Sequence, residues 1–167
     1  MSAIHRIFTQ SALLLTLASV SLGLAAKDIT GRVVAISDGD TLTVLDASKA
    51  QHKIRLAGID APEKAQPFGT RSRQALSEYV FSKDVTVLVV DVDRYKRVVG
   101  IVTLGGKDIN QQLVAEGYAW AYRQFLKKLP AGKADAYLES EQRAKNNKAG
   151  LWADKDPTPP WEWRRKK

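Results

Sequence analysis

Residues 29–56 read ITGRVVAISDGDTLTVLDASKAQHKIRL. Val33, Val34 and Ile36 lead into Ser37-Asp38-Gly39-Asp40, Leu42 and Val44 follow it, and Asp46-Ala47-Ser48 turns the chain into a third apolar run, His52 to Leu56. Short β-branched runs separated by Asp/Gly turns predict three strands of an antiparallel meander. Downstream, Gly58 to Gly69 holds Pro62 and Pro67 and reads as a loop whose backbone is restricted rather than merely mobile. Thr70 is placed to cap a helix, with Ala75, Leu76, Tyr79 and Val80 at helical spacing. Val85–Val92 and Val98–Leu104 are two more strands around the charged turn Asp93-Arg94-Tyr95-Lys96-Arg97, and Gly105-Gly106 is a hairpin-type turn or a strand end. Asp108 caps a short helix that ends at Gly117, and Lys133–Lys148 is a polar helix that Gly150 terminates. Five strands with two or three helices is the inventory of a small closed barrel.

Composition bounds the chemistry. The chain has 167 residues, a formal net charge of +8, no Cys and 2 His. One domain of ordinary apolar content is expected. Without Cys there is no disulfide framework, thiolate metal site or cysteine nucleophile, and two histidines leave little for an imidazole cluster, so any metal must be held by oxygen. Residues 1–26 read apart from this domain. His5 and Arg6 precede an apolar run from Ala12 to Leu24, and Gly23-Leu24-Ala25-Ala26 offers small residues for cleavage. This is the layout of a secretory signal peptide, and the apolar run falls short of the ~20 residues that span a bilayer. The expected product is therefore periplasmic or secreted, a domain over 27–152 followed by a tail, 153–167. In that tail Pro157, Pro159 and Pro160 exclude regular structure, and Trp161-Glu162-Trp163-Arg164-Arg165-Lys166-Lys167 alternates aromatics with charge. Two readings stand for it: a frayed solubilising end, or an accessory contact in which the basic residues meet phosphates and the tryptophans stack on bases or lie at a lipid interface.

Reactive groups concentrate in residues 38–63. Asp38 and Asp40 share one turn, and Asp60 and Glu63 lie in the loop after the third strand. Asp-Gly-Asp alone is an ordinary turn. Two acidic clusters brought to one barrel edge repel each other unless a cation joins them, and all-oxygen ligation selects a hard ion such as Ca²⁺ or Mg²⁺. Arg55 lies on the strand that delivers Asp60, and Arg97 closes the charged turn. Either could be a solvated strand-end charge, yet guanidinium groups beside such a cluster suit phosphodiester hydrolysis, where they grip phosphate oxygens and offset developing charge.

The motifs Asp38-Gly39-Asp40-Thr41, Ile54-Arg55-Leu56-Ala57-Gly58-Ile59-Asp60-Ala61-Pro62-Glu63, Asp93-Arg94-Tyr95-Lys96-Arg97 and Asn110 to Gly117 occur in the order in which the staphylococcal (micrococcal) nuclease family carries them, and the chain resembles that family over about residues 28–152. The resemblance implies an α+β, mainly β fold, an OB-like five-stranded barrel with about three helices. It implies a Ca²⁺-dependent nuclease that cleaves DNA and RNA with little sequence preference and leaves 3′-phosphates, acting as a monomer without a stable protein partner and meeting a membrane only during export. Carried onto matching positions, Asp40 and Asp60 are calcium ligands, Ala61 offers its backbone carbonyl where the staphylococcal enzyme has Thr, and Asp38 is an outer-shell acid. Glu63 is the general base, Arg55 and Arg97 bind phosphate, and Tyr95 is a nucleotide contact. The family's base-flanking tyrosines fall on Arg123 and Phe125, with Tyr122 nearby, so Tyr122 and Phe125 are either stacking residues or, like Trp120, packing residues. A non-catalytic nucleic-acid-binding barrel and a cell-surface interaction protein are the alternatives. A pure binder, however, has no use for repelling acids without a metal.

Overall fold

The computed structural model describes residues 28–166; the expected signal peptide, residues 1–26, lies outside the described residues. Five long strands close into a barrel: β1 (Ile29–Asp38), β2 (Thr41–Asp46), β3 (Gln51–Leu56), β5 (Asp84–Val92) and β6 (Val98–Leu104). Their order is β3-β2-β1-β5-β6, and a parallel β3–β6 pairing closes the ring. The antiparallel meander is as expected. Three two-residue strands join them: β4 (Ile59–Asp60), β7 (Lys107–Asp108), added to β6 through the Gly105-Gly106 turn, and β8 (Trp120–Ala121). Such short pieces carry no periodicity, and β4 and β8 exist only because they pair with each other across the chain. Val33, Leu42, Val44, Ile54, Leu56, Val85 and Val87 fill the buried core. They alternate with less buried neighbours along most of each strand, as period 2 requires.

The helices cover the barrel. α1 (Gly69–Val80) buries Gly69, Ser72, Ala75, Leu76 and Val80 along one stripe. Thr70 does not cap it. The helix begins one residue earlier, and the cap position falls on Phe68, whose φ of 71° turns the chain out of the preceding loop without a side-chain cap bond. α2 (Ile109–Ala115) is capped by Asp108, which accepts from the Gln111 amide at 3.0 Å. Asp108 also takes Lys133 and Tyr137 of α4 (Lys133–Asn146), so one carboxylate caps one helix and anchors another. Gly150 does not end α4, which stops at Asn146; Gly150 instead opens a 3₁₀ turn, Gly150–Ala153.

The C-terminal segment is ordered against the barrel. Pro160 is the first residue of α5 (Pro160–Trp163), where a missing N–H costs nothing, so proline starts regular structure here rather than excluding it. Pro160 is buried, Trp161 stacks on Tyr122 at 5.2 Å with planes 5° apart, and Gln66 Nε2 donates to the Thr158 carbonyl at 2.6 Å. The frayed-tail reading is thereby corrected. No helix among the described residues is long and apolar enough to cross a membrane.

One buried ion group links this frame to the loop that carries Asp60. β4 pairs with β8, Ile59 with Ala121 and Asp60 with Trp120. Glu141 of α4, 1% exposed, accepts from the Ala121 amide, from Arg123 of α3 (Arg123–Leu126) and from Lys145. Arg123 is thus committed to Glu141 rather than to a nucleotide base. Burial pushes the Glu141 carboxyl up, and its bonds to Arg123 and Lys145 more than reverse this, leaving it below the usual carboxylate range. A depressed value stabilises the fold above the ordinary carboxylate pKa and stops doing so as pH falls through the folded one. Glu141→Gln should cost on the order of 1–3 kcal/mol near neutrality, the range for a charged hydrogen bond, and the deficit should shrink below pH ~4. Urea denaturation at both pH values checks this; a deficit that does not change with pH contradicts it.

Candidate active site

The site is built on the β1–β2 turn. Ser37 is an extra residue in β1, because Ile36 faces Leu42 and Asp38 faces Thr41, and such a bulge bends a strand and re-aims the residues beyond it. Gly39 then packs where a Cβ would lie 2.7 Å from both Ala61 Cβ and Ser72 Cβ, so only glycine lets the turn sit against the Asp60 loop and α1. Asp38 Oδ1 accepts from the Asp40 amide at 3.1 Å and fixes the turn. Asp40, 6% exposed, accepts from the Ala61 amide at 2.7 Å, which ties the first acidic cluster to the second.

Arg55 lies opposite Thr41 on β3 and reaches both clusters. Its Nη1 is 3.0 Å from Asp40 Oδ2 and donates to the Ile59 carbonyl at 3.0 Å, and its Nη2 donates to Asp60 Oδ1 at 2.9 Å. Asp60 is 1% exposed. The structure therefore gives Arg55 a task that its position in the sequence did not reveal, to act as the shared counter-charge of two buried acids. Burial pushes the Asp40 carboxyl well above the usual carboxylate range; Arg55 opposes the shift, while Asp38 and Asp60 add to it.

Glu63 sits on the rim. Its amide donates to Gln66 Oε1 at 3.0 Å, its carbonyl accepts from the Gln66 amide, and a Cβ at Gly69 would strike that carbonyl at 2.0 Å. The backbone is therefore fixed while the carboxylate stands free of the barrel, 39% exposed. Arg164 reaches it from the C-terminal segment: Nη1 donates to Glu63 Oε1 at 2.7 Å and to Asp60 Oδ1 at 3.3 Å, and Nη2 donates to Asp60 Oδ2 at 2.8 Å. Sequence reading missed this residue. Its only signal was the aromatic and basic run 161–167, which does not say where the run folds.

All ten residues singled out from the sequence line one groove of about 710 Å³: Asp38, Asp40, Arg55, Asp60, Ala61, Glu63, Tyr95, Arg97, Tyr122 and Phe125. They do not converge on a point. Among the described residues no three acidic or imidazole side chains form a metal-holding group, because guanidinium groups stand between the acids. Arg97 pairs with Asp93 at 2.7 Å, not with the buried acids, and Asp93 also accepts from the Tyr95 and Arg97 amides, so this carboxylate shapes the turn. Tyr95 is 65% exposed with Arg94 over its ring. Tyr122 and Phe125 meet edge-on at 4.8 Å and reach the groove, whereas Trp120 is buried core. The donor set nonetheless suits a hard cation: every available ligand is oxygen, four acids face two guanidinium groups, and Arg164 already places positive charge between Asp60 and Glu63.

Barrel and groove together define an OB-like fold with an acidic and arginine-lined cleft. The family model described as "Staphylococcal nuclease homologue" matches residues 53–154. The chain is 43% identical over 136 residues to a Haemophilus influenzae protein named as an uncharacterized endonuclease, covering 81% of this chain and 73% of that one. It is 44% identical over 142 residues to an Escherichia coli protein of the same name, at 84% and 88% coverage, and 42% identical over 151 residues to the micrococcal nuclease of Shigella flexneri, at 84% and 83%. The chain belongs to the staphylococcal nuclease family.

The cost of Asp40 is testable as stability. An acid whose folded pKa is raised destabilises the fold increasingly as pH climbs above its unfolded value, 3.8. In EDTA, Asp40→Asn should melt above the parent at pH 8 by at least about 2–4 °C, the shift that about 1 kcal/mol produces in a chain of this length, and the gap should close toward pH 4. A variant that melts lower at pH 8 refutes the argument.

Proposed function

We propose that the chain is an exported, Ca²⁺-dependent nuclease that hydrolyses DNA and RNA with little sequence preference and leaves 3′-phosphates. The observation that carries this reading is the joining of Asp40 and Asp60 through Arg55 at the floor of a groove whose rim holds Glu63, Arg97 and Tyr95. Asp40, Asp60 and the Ala61 carbonyl would hold the cation, with Asp38 acting from the outer shell. When bound, calcium supplies charge stabilisation at the phosphate.

The remaining chemistry falls to the chain itself. Glu63 takes a proton from water, the water oxygen bonds to phosphorus, and the P–O5′ bond opposite it breaks; the departing 5′ oxygen takes a proton from solvent, and the phosphate stays on the 3′ side. Arg55 and Arg97 bind the phosphate oxygens as negative charge grows on them. Tyr95 and Phe125 offer exposed ring surface to sugar and base along the groove, and Tyr122, one face of which is covered by Trp161, adds an aromatic wall beside them. Nothing in these contacts reads a base edge, in keeping with low sequence preference. Export rests on the composition of residues 1–26 and is tested by finding the shortened chain in the periplasm or medium.

The decisive assay incubates the purified chain with circular single-stranded DNA, linear duplex DNA and RNA, in Ca²⁺ or in EGTA. Cleavage of the circle in Ca²⁺ is expected, and full activity in EGTA without another metal refutes calcium dependence. Glu63→Gln should lower turnover by about 10²–10⁴-fold, the usual worth of a general base, with nucleic-acid affinity by fluorescence anisotropy preserved. Tight binding without cleavage in any condition would make the chain a binding module instead.

A further inference from the structure

The nuclease reading leaves Arg164 without a role, although its guanidinium touches both Asp60 and Glu63. We propose that Arg164, delivered by the ordered C-terminal segment, is a positioning residue that fixes the Glu63 carboxylate for proton abstraction; this rests on the assignment of Glu63 above.

The case begins with what Glu63 lacks. Among the described residues Arg164 is the sole hydrogen-bond partner of its carboxylate, and the bond goes to Oε1 alone, leaving Oε2 free to accept a proton. A glutamate that is 39% exposed samples several rotamers, whereas a proton-abstracting group must be held to about 0.5 Å. Arg164 supplies that restraint because the same guanidinium is pinned to both oxygens of Asp60, through Nη2 and through the Nη1 that also bonds Glu63, and Asp60 is itself locked into the β4–β8 pairing. Base and buried acid are thereby held in one rigid frame.

The anchoring of the segment sets this apart from a displaceable lid. Trp161 stacks face to face on Tyr122 and edge-on against Trp120, Pro160 is buried, and Gln66 joins the Glu63 backbone to the Thr158 carbonyl. Lids and straps that must open are drawn from the weakly held parts of a fold. This segment is packed into the same loop that it orients.

The test is a double-mutant cycle on DNA cleavage with Glu63→Gln, Arg164→Ala, Arg164→Lys and the Glu63→Gln/Arg164→Ala pair, alongside melting curves and calcium titration calorimetry of each chain. Arg164→Ala should lower kcat by about 10–100-fold, the usual cost of losing a group that orients a catalytic ligand, with KM within about twofold. Arg164→Lys should recover only part of this, since an ammonium lacks the fork. In the Glu63→Gln background, Arg164→Ala should cost nothing further, because both changes disable the same step. An additive loss, a rise in kcat that would mark the segment as inhibitory, or an Arg164→Ala chain that no longer binds calcium each overturns the proposal. A parent chain that cleaves nothing brings down the nuclease reading and this inference together, whereas an active parent with an equally active Arg164→Ala brings down this inference alone.

Discussion

Two buried carboxylates, Asp40 and Asp60, share one guanidinium, Arg55, and the rest of the molecule is organised around keeping that arrangement in place. Like charges a few ångströms apart in a protein interior repel by about 4 kcal/mol at an effective dielectric of about 20, and each carries a desolvation cost as well. Asp60 also has Arg164, whereas Asp40 has Arg55 alone among the described residues. Burial holds Asp40 above the ordinary carboxylate range, with Asp38 and Asp60 adding to the shift that Arg55 opposes. A fold of ordinary core quality would relieve it by letting a turn swing outward, so the barrel must oppose that motion on every side.

Each structural device near the site serves that purpose. The Ser37 bulge and the close fit of Gly39 press the first acidic turn onto Ala61, whose amide is bonded to Asp40. The β4–β8 pairing holds Asp60 from behind, and Glu141 holds β8. The Leu56 amide bonds the Asp40 carbonyl, so the strand carrying Arg55 is tied directly to the acid it neutralises. Stability is lost at the centre and recovered in the frame, the usual pattern for a functional site in an otherwise well-packed domain.

The sequence disclosed what is local. Alternating β-branched runs and Asp/Gly turns marked the five long strands, and the Asp108 cap and the Gly105-Gly106 turn were legible because their signals lie within four residues of their effects. The two-residue strands, the start of α1 at Gly69 rather than beyond Thr70, and the docking of the C-terminal segment were not. Arg164 meets Glu63 across 101 positions of chain, and the stacking of Trp161 on Tyr122 is also long-range. A proline-rich, basic end looks the same in sequence whether it frays or folds back. What decides is the complementary surface, Gln66, Tyr122 and Asp60, and no pattern inside residues 153–167 encodes it.

The same distinction separates the two arginines that sequence reasoning treated as equivalent. Arg55 is 15% exposed and its terminal nitrogens are already committed to two carboxylates and backbone carbonyls. Arg97 is more exposed, stands on a turn shaped by Asp93, and shares its surroundings with the open ring of Tyr95. A phosphate entering the groove can therefore draw on Arg97 by displacing one half-buried carboxylate, Asp93, which keeps its two backbone amide bonds. It can draw on Arg55 only if Asp40 finds another positive partner at the same moment, since Asp60 keeps Arg164. Under the proposed function, substrate grip by Arg55 and cation binding by the two aspartates would for that reason be a single event. In that reading a hard cation would be more than an added charge in this groove, since it would be the condition under which Arg55 can turn toward a substrate.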